Sequence, residues 1–155
     1  TGDRHYITSD IICWHRCAQT QGNTKPTLPR LFSPTSKSGI AELMLLHITE
    51  RHRAIAAQQS GTYRADSLDT EGFIHCSECD QAVWVANQFY RGKPELVLLV
   101  IDPDRVHAEI KYETVEGVGD FPHIYGELNA DAIVQVIDFP PNADGSFTLP
   151  HQFAT

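Results

Sequence analysis

The chain has 155 residues, 41 % of them apolar and 21 % charged, which suits one soluble domain able to close a core without staples. Its formal charge of -8, 20 acids against 12 bases, argues against a broad nucleic-acid-binding face without excluding a small basic pocket. No apolar run approaches a membrane span, so a cytoplasmic location without a membrane partner is expected.

In chain order, residues 1–42 carry five bases against three acids amid Pro, Ser, Thr and Gly punctuation, and are expected to form a partly flexible extension. The folded domain is expected over 43–155. Leu43 to Ile48 reads as a buried strand, and Thr49 as the cap of a helix to about Ser60, stopped by Gly61, with Ile55 packing inward. A short strand, Gly72 to Cys76, precedes a helix near Glu78–Tyr90 that Ser77 and Asp80 are spaced to cap. ELVLLVI before Asp102-Pro103 is a strand with a firm stop. VHAEIKYETV alternates, with Val106, Ala108, Ile110 and Tyr112 on the inner side, HIYGEL forms a further short segment, and AIVQVIDF is the last strand. Two early helices followed by several strands predict an α+β domain with a compact, split β-sheet core.

Three chemistries compete for the polar residues. Cys76 and Cys79 form a C-x-x-C pair at a helix start, a weak redox signal, and with Cys13, Cys17, His15 or His75 they offer a zinc-stabilised structural or interaction module. Ordinary buried thiols are the commoner outcome for such cysteines, and no metal ligand is assigned. The histidines form another grouping. His47, His75 and His123 stand at the ends of apolar segments, where imidazoles exchange protons or orient hydroxyls and phosphates. Ser77 could bind an anionic group, Tyr125 could stack or donate its hydroxyl, and Gly126 would allow close approach. Glu113 and Glu127 are the nearest acids, able to orient a ribose hydroxyl or stabilise positive charge at a sugar carbon. Taken singly, each of these residues is more often structural than functional. The P-loop, the dinucleotide fingerprint, the zinc helix and the hydrolase elbow are all missing from the sequence.

LLHIT at 45–49, SLDTEGFIHCS at 67–77, LVLLVIDPDRV at 96–106, FPHIYGEL at 121–128 and DGSFTLP near the end together resemble the mainly bacterial family carrying domain of unknown function 952. The resemblance spans Leu43 to Pro150, and His47, Thr49, His75, Ser77, Gln81, His123, Tyr125 and Gly126 match its polar signature. It implies a fold like that of ADP-ribosyltransferases and RNA 2'-phosphotransferases, many of which set a first-strand histidine, a second-strand aromatic and a later glutamate around NAD. His47 answers to the first by position. His75 stands near the second in place of tyrosine, and Glu113 or Glu127 answers loosely to the third.

The resemblance therefore implies a transferase acting on NAD, a nucleotide or another phosphorylated small molecule, with an RNA end as the one nucleic-acid ligand in play. His47, His75, His123 and Glu113 are its candidate catalytic residues, and Thr49, Ser77, Gln81, Tyr125, Gly126 and Glu127 its candidate ligand contacts. A non-catalytic nucleotide- or small-anion-binding domain is the alternative, and the zinc-stabilised module the third.

Overall fold

The computed structural model of the protein describes residues 44–153, so Cys13, His15, Cys17 and the rest of the expected extension lie outside the described residues. Apolar runs become central strands, as their composition demands. β1 (Leu45–Glu50) and β4 (Leu96–Ile101) pair antiparallel from Leu45 opposite Ile101 to Glu50 opposite Leu96. β8 (Ile133–Asp138) pairs along the other side of β4, giving the order β1-β4-β8. All six residues of β4 are buried, which explains why that stretch shows no polar alternation.

A second three-stranded sheet, ordered β3-β6-β5, is built from β3 (Ile74–His75), β6 (Gly119–Tyr125) and β5 (Glu109–Val115). A two-stranded ribbon joins β2 (Thr62–Tyr63) to β7 (Leu128–Asn129). The helices are α1 (Arg51–Ser60), the single turn α2 (Ser67–Thr70) and α3 (Cys79–Phe89). Short 3-10 turns follow β4, precede β8 and close the described chain. The α+β class expected from the sequence is what the protein adopts. Among the described residues, no helix is long and apolar enough to cross a membrane.

The two larger sheets meet at one point. Leu46 and Ser77 exchange two main-chain hydrogen bonds of 2.8 Å, and there the ladder stops. Apolar side chains alternate to the two sides of these strands and form two cores. One gathers Leu45, Tyr63, Ile74, Cys76, Val97, Leu99, Ile101 and Ile124, and the other Leu46, Ile48, Ala82, Ala86, Leu98, Val100, Phe121, Phe139 and Phe147.

Several local expectations need correction. Thr49 is the fifth residue of β1 and does not cap α1, which begins directly after Glu50. α1 buries Ala54 and Ala57, whereas Ile55 is about half exposed, because the rotation that faces the alanines inward turns Ile55 outward. Gly61 does end the helix, at φ +82. The cap of α3 is Glu78, not Ser77, because the main chain of Ser77 is held in the bridge to Leu46. The partner of that cap is Gln81 and not Asp80, its Oε1 accepting from the Glu78 amide at 2.9 Å. Tyr112 is 56 % exposed, not inward, because β5 is an edge strand with water on its open side.

Candidate functional site

Strand pairing, not sequence proximity, assembles the polar cluster. The β3-β6 register sets His75 opposite His123, and the β5-β6 register sets Lys111 opposite His123 and Glu113 opposite Phe121. Side chains on alternate positions share a face, so Phe73, His75, His123, Tyr125, Lys111 and Glu113 all project to one side. Ile74, Ile110 and Ile124 take the other side and pack into the core. Of the residues expected to share one cleft, His75, His123 and Tyr125 meet here beside Glu113, whereas His47 and Ser77 do not join them.

Their contacts are short. One oxygen of Glu113 accepts from His123 Nδ1 at 2.6 Å and from the Tyr125 hydroxyl at 2.7 Å. The Phe73 ring stacks on His123 with centroids 4.2 Å apart and planes 19° from parallel. The His75 ring meets His123 edge-on at 5.1 Å, and its Nε2 lies 3.1 Å from a Glu71 oxygen. Lys111 Nζ stands 4.5 Å from the Tyr125 ring centroid and 3.4 Å from Glu109.

The members differ in their access to a ligand. His123 is 3 % exposed and Phe73 is buried, whereas the Glu113 side chain is 43 % exposed. Glu113 and Lys111 are the open members of the face, Tyr125 is half-buried, and His123 lies beneath them. Hydrogen bonds from His123 first and then Tyr125 hold the Glu113 carboxyl below the usual range, and the same carboxylate raises the Tyr125 phenol. A carboxylate so held is a weak base and a poor acid. It is well suited to accept a hydroxyl's hydrogen bond or to stabilise developing positive charge.

His47 and Thr49 belong to a separate, buried network on the opposite side of β3. His47 Nδ1 lies 2.6 Å from the main-chain oxygen of His75, and its Nε2 lies 2.7 Å from the Tyr63 hydroxyl. That hydroxyl is 2.9 Å from Thr49 Oγ1. Burial pushes His47 down to about 4, so the ring is neutral near pH 7 and carries one proton. A carbonyl only accepts, so the proton is on Nδ1. Tyr63 then donates to Nε2 and Thr49 donates to Tyr63. Burial also raises the Tyr63 phenol, which keeps it a donor.

The remaining expected ligand contacts have other duties. Ser77 is buried beside its bridge to Leu46. Gln81 joins the start of α3 to β6 by donating to the Asp120 carbonyl at 2.7 Å. Gly126, at φ +156, is tightly placed: a Cβ there would sit 3.0 Å from the Ala108 Cβ, which would have to give way by a few tenths of an ångström. Glu127 is paired with Arg64 at 2.8 Å, and Arg64 also holds Asp69.

Sequence reasoning did not single out Tyr63, Phe73, Glu71 or Lys111. Phe73 and Glu71 stand two and four residues before His75, and a strand-face or turn spacing of that kind is the signal that would have flagged them. Tyr63 carried no such local mark. The cysteine pair separates: Cys76 is buried in one core and Cys79 packs against the other. Burial raises both thiols, opposing a reactive thiolate. Among the described residues, no group of three or more His, Cys, Asp or Glu is arranged to hold a metal ion. An open depression along β8 and Pro150–Gln152 has none of the histidine cluster in its wall.

A family model described as "Protein of unknown function (DUF952)" matches residues 48–136. Among solved structures, the crystal structure of protein CC0527 from Caulobacter crescentus is 29 % identical, with a TM-score of 0.66, over 72 % of this chain and 99 % of that one. The solution structure of the same protein, also 29 % identical, gives a TM-score of 0.63 over 72 % and 97 %. No curated protein matches the chain in sequence.

Proposed function

The chain belongs to the DUF952 family, and from that premise we propose that it is a group-transfer enzyme acting at the sugar of a nucleotide-type small molecule, with Glu113 as the residue that meets the ligand. The observation that carries this reading is the single Glu113 oxygen held by both His123 and Tyr125. A carboxylate fixed in direction and kept ionised can accept a ribose hydroxyl and stabilise positive charge at a sugar carbon. His75 and Glu71 extend the polar face, and Lys111 is its cation. With two glutamates beside one lysine already paired to Glu109, the face favours a sugar over a polyphosphate.

Two three-stranded sheets joined by a single bridge agree with the split core expected for that class, but the NAD arrangement does not fit in its usual form. His47, the first-strand histidine, is buried with both ring nitrogens engaged inside the fold. Neither ring nitrogen is left for a ligand.

Ligand profiling by mass spectrometry on gently purified protein tests the reading, followed by incubation with NAD, ADP-ribose and nucleosides and analysis of products. Sugar-containing ligands retained by the wild type but lost in Glu113→Gln, together with a transferred or released base, are expected. Binding without any product would favour a nucleotide-binding domain. No retained ligand and no product would sink both.

A further inference from the structure

The ladder between β1 and β3 ends one step too early, and a side chain stands where it ends. Leu46 opposite Ser77 is a hydrogen-bonded antiparallel pair. Continued by two residues on each strand, that register would set Ile48 against His75 and bring the Ile48 amide to the His75 carbonyl. That carbonyl is instead 2.6 Å from His47 Nδ1. The imidazole is wedged into the opening between the sheets and supplies the donor that a continuous sheet would have supplied.

The wedge is fastened from behind. Tyr63, from the separate β2-β7 ribbon, is 3 % exposed and holds His47 Nε2 at 2.7 Å, and Thr49 on β1 holds the Tyr63 hydroxyl at 2.9 Å. One hydrogen-bonded chain thereby links an element of each of the three sheets: Thr49 to Tyr63 to His47 to the main chain of His75. The His75 side chain leaves on the other side of the strand, onto the face shared with His123 and Phe73.

We propose that His47 is a positioning residue, locked in its Nδ1–H tautomer by the His75 carbonyl in front and by Tyr63 and Thr49 behind, which holds β3 off β1 and thereby aims His75 at His123. This deepens the reading of that face as the functional site and rests on it. An imidazole in water prefers the proton on Nε2, so the lock has a signature independent of any substrate. The groups facing His47 are the His75 carbonyl, the Tyr63 hydroxyl and, at longer range, the Arg53 and His75 charges.

The test is nitrogen-15 NMR of the histidine rings in the full chain, wild type against Tyr63→Phe and Thr49→Val. In the wild type at neutral pH, His47 should show a protonated Nδ1 and a bare, pyridine-like Nε2. Tyr63→Phe should lose that purity and shift the His75 and His123 ring signals, while Thr49→Val should move them in the same direction by less. A wild-type His47 carrying its proton on Nε2 would overturn the proposal. So would a locked tautomer whose loss left the His75 and His123 signals where they were. If Tyr63→Phe fails to fold, Thr49→Val decides alone, and unmoved His75 signals in it would count against the proposal. None of these readings depends on turnover, so failure to find a substrate would strike the functional reading alone.

Discussion

Replacing Tyr63 by phenylalanine deletes one oxygen and leaves the ring's packing in place. The loss falls on a buried acceptor, because His47 Nε2 has the Tyr63 hydroxyl as its donor at 2.7 Å. An abandoned buried acceptor costs on the order of 1–3 kcal/mol. Thr49→Val removes a hydroxyl of similar shape but leaves the Tyr63–His47 bond standing, so it should cost less than about 1 kcal/mol. The two losses should not add. Once Tyr63 is phenylalanine, the Thr49 hydroxyl has already lost its 2.9 Å partner, and valine removes a polar group that was no longer satisfied. The double-mutant cycle should therefore return a coupling of roughly 0.5–2 kcal/mol. Urea unfolding supplies the free energies. A thermal scan should show Tyr63→Phe lower by several degrees, at roughly 2–4 °C per kcal/mol for a domain of this size class. A Tyr63→Phe variant within about 0.5 kcal/mol of wild type, or strictly additive losses, would refute the hydrogen-bond chain.

Acidification should reveal His47. Its folded value, about 4, lies below the unfolded 6.5, so the unfolded chain binds more protons between the two. Stability must then fall as pH drops through that window, by up to about 3 kcal/mol at 1.36 kcal/mol per unit. His47→Gln should flatten the slope there, and an unchanged slope would mean that His47 is not neutral in the fold. Glu113 works in the same direction further down: its carboxyl is depressed, so its contribution is present above the unfolded value and is lost below it. Gly126→Ala should cost on the order of 1–3 kcal/mol by strain at φ +156 and crowding against Ala108. Adding Ala108→Gly should recover the crowding but not the backbone share, as measured by the same unfolding curves.

The strands were legible where burial leaves a simple trace. Leu96–Ile101 is buried throughout and reads as an unbroken apolar run. β6 was harder, since Pro122 and two aromatics interrupt any alternation, and it extends to seven residues only because β5 pairs with it from Glu109 to Val115. The site was half legible. His75, His123 and Tyr125 mark themselves as polar groups ending apolar segments, and pairing then brings them together. The division between the half-open histidine cluster and the internal wedge was not readable, because it depends on which side of β3 each ring leaves. His47-Ile48-Thr49 and His75-Cys76-Ser77 look alike on paper. One pair faces the core and is completed by Tyr63, whose role no local pattern announces. Glu127 looked as eligible as Glu113 until Arg64 was seen to hold it.

Titration calorimetry of ADP-ribose and adenosine into the wild type and Glu113→Gln, with product analysis of the same samples, tests the central claim most directly. The account predicts heat of binding for a ribose-bearing ligand in the wild type and at least a tenfold weaker response in Glu113→Gln, with both proteins folded at the titration temperature. Equal binding by both would contradict the assignment of Glu113 as the residue that meets the ligand.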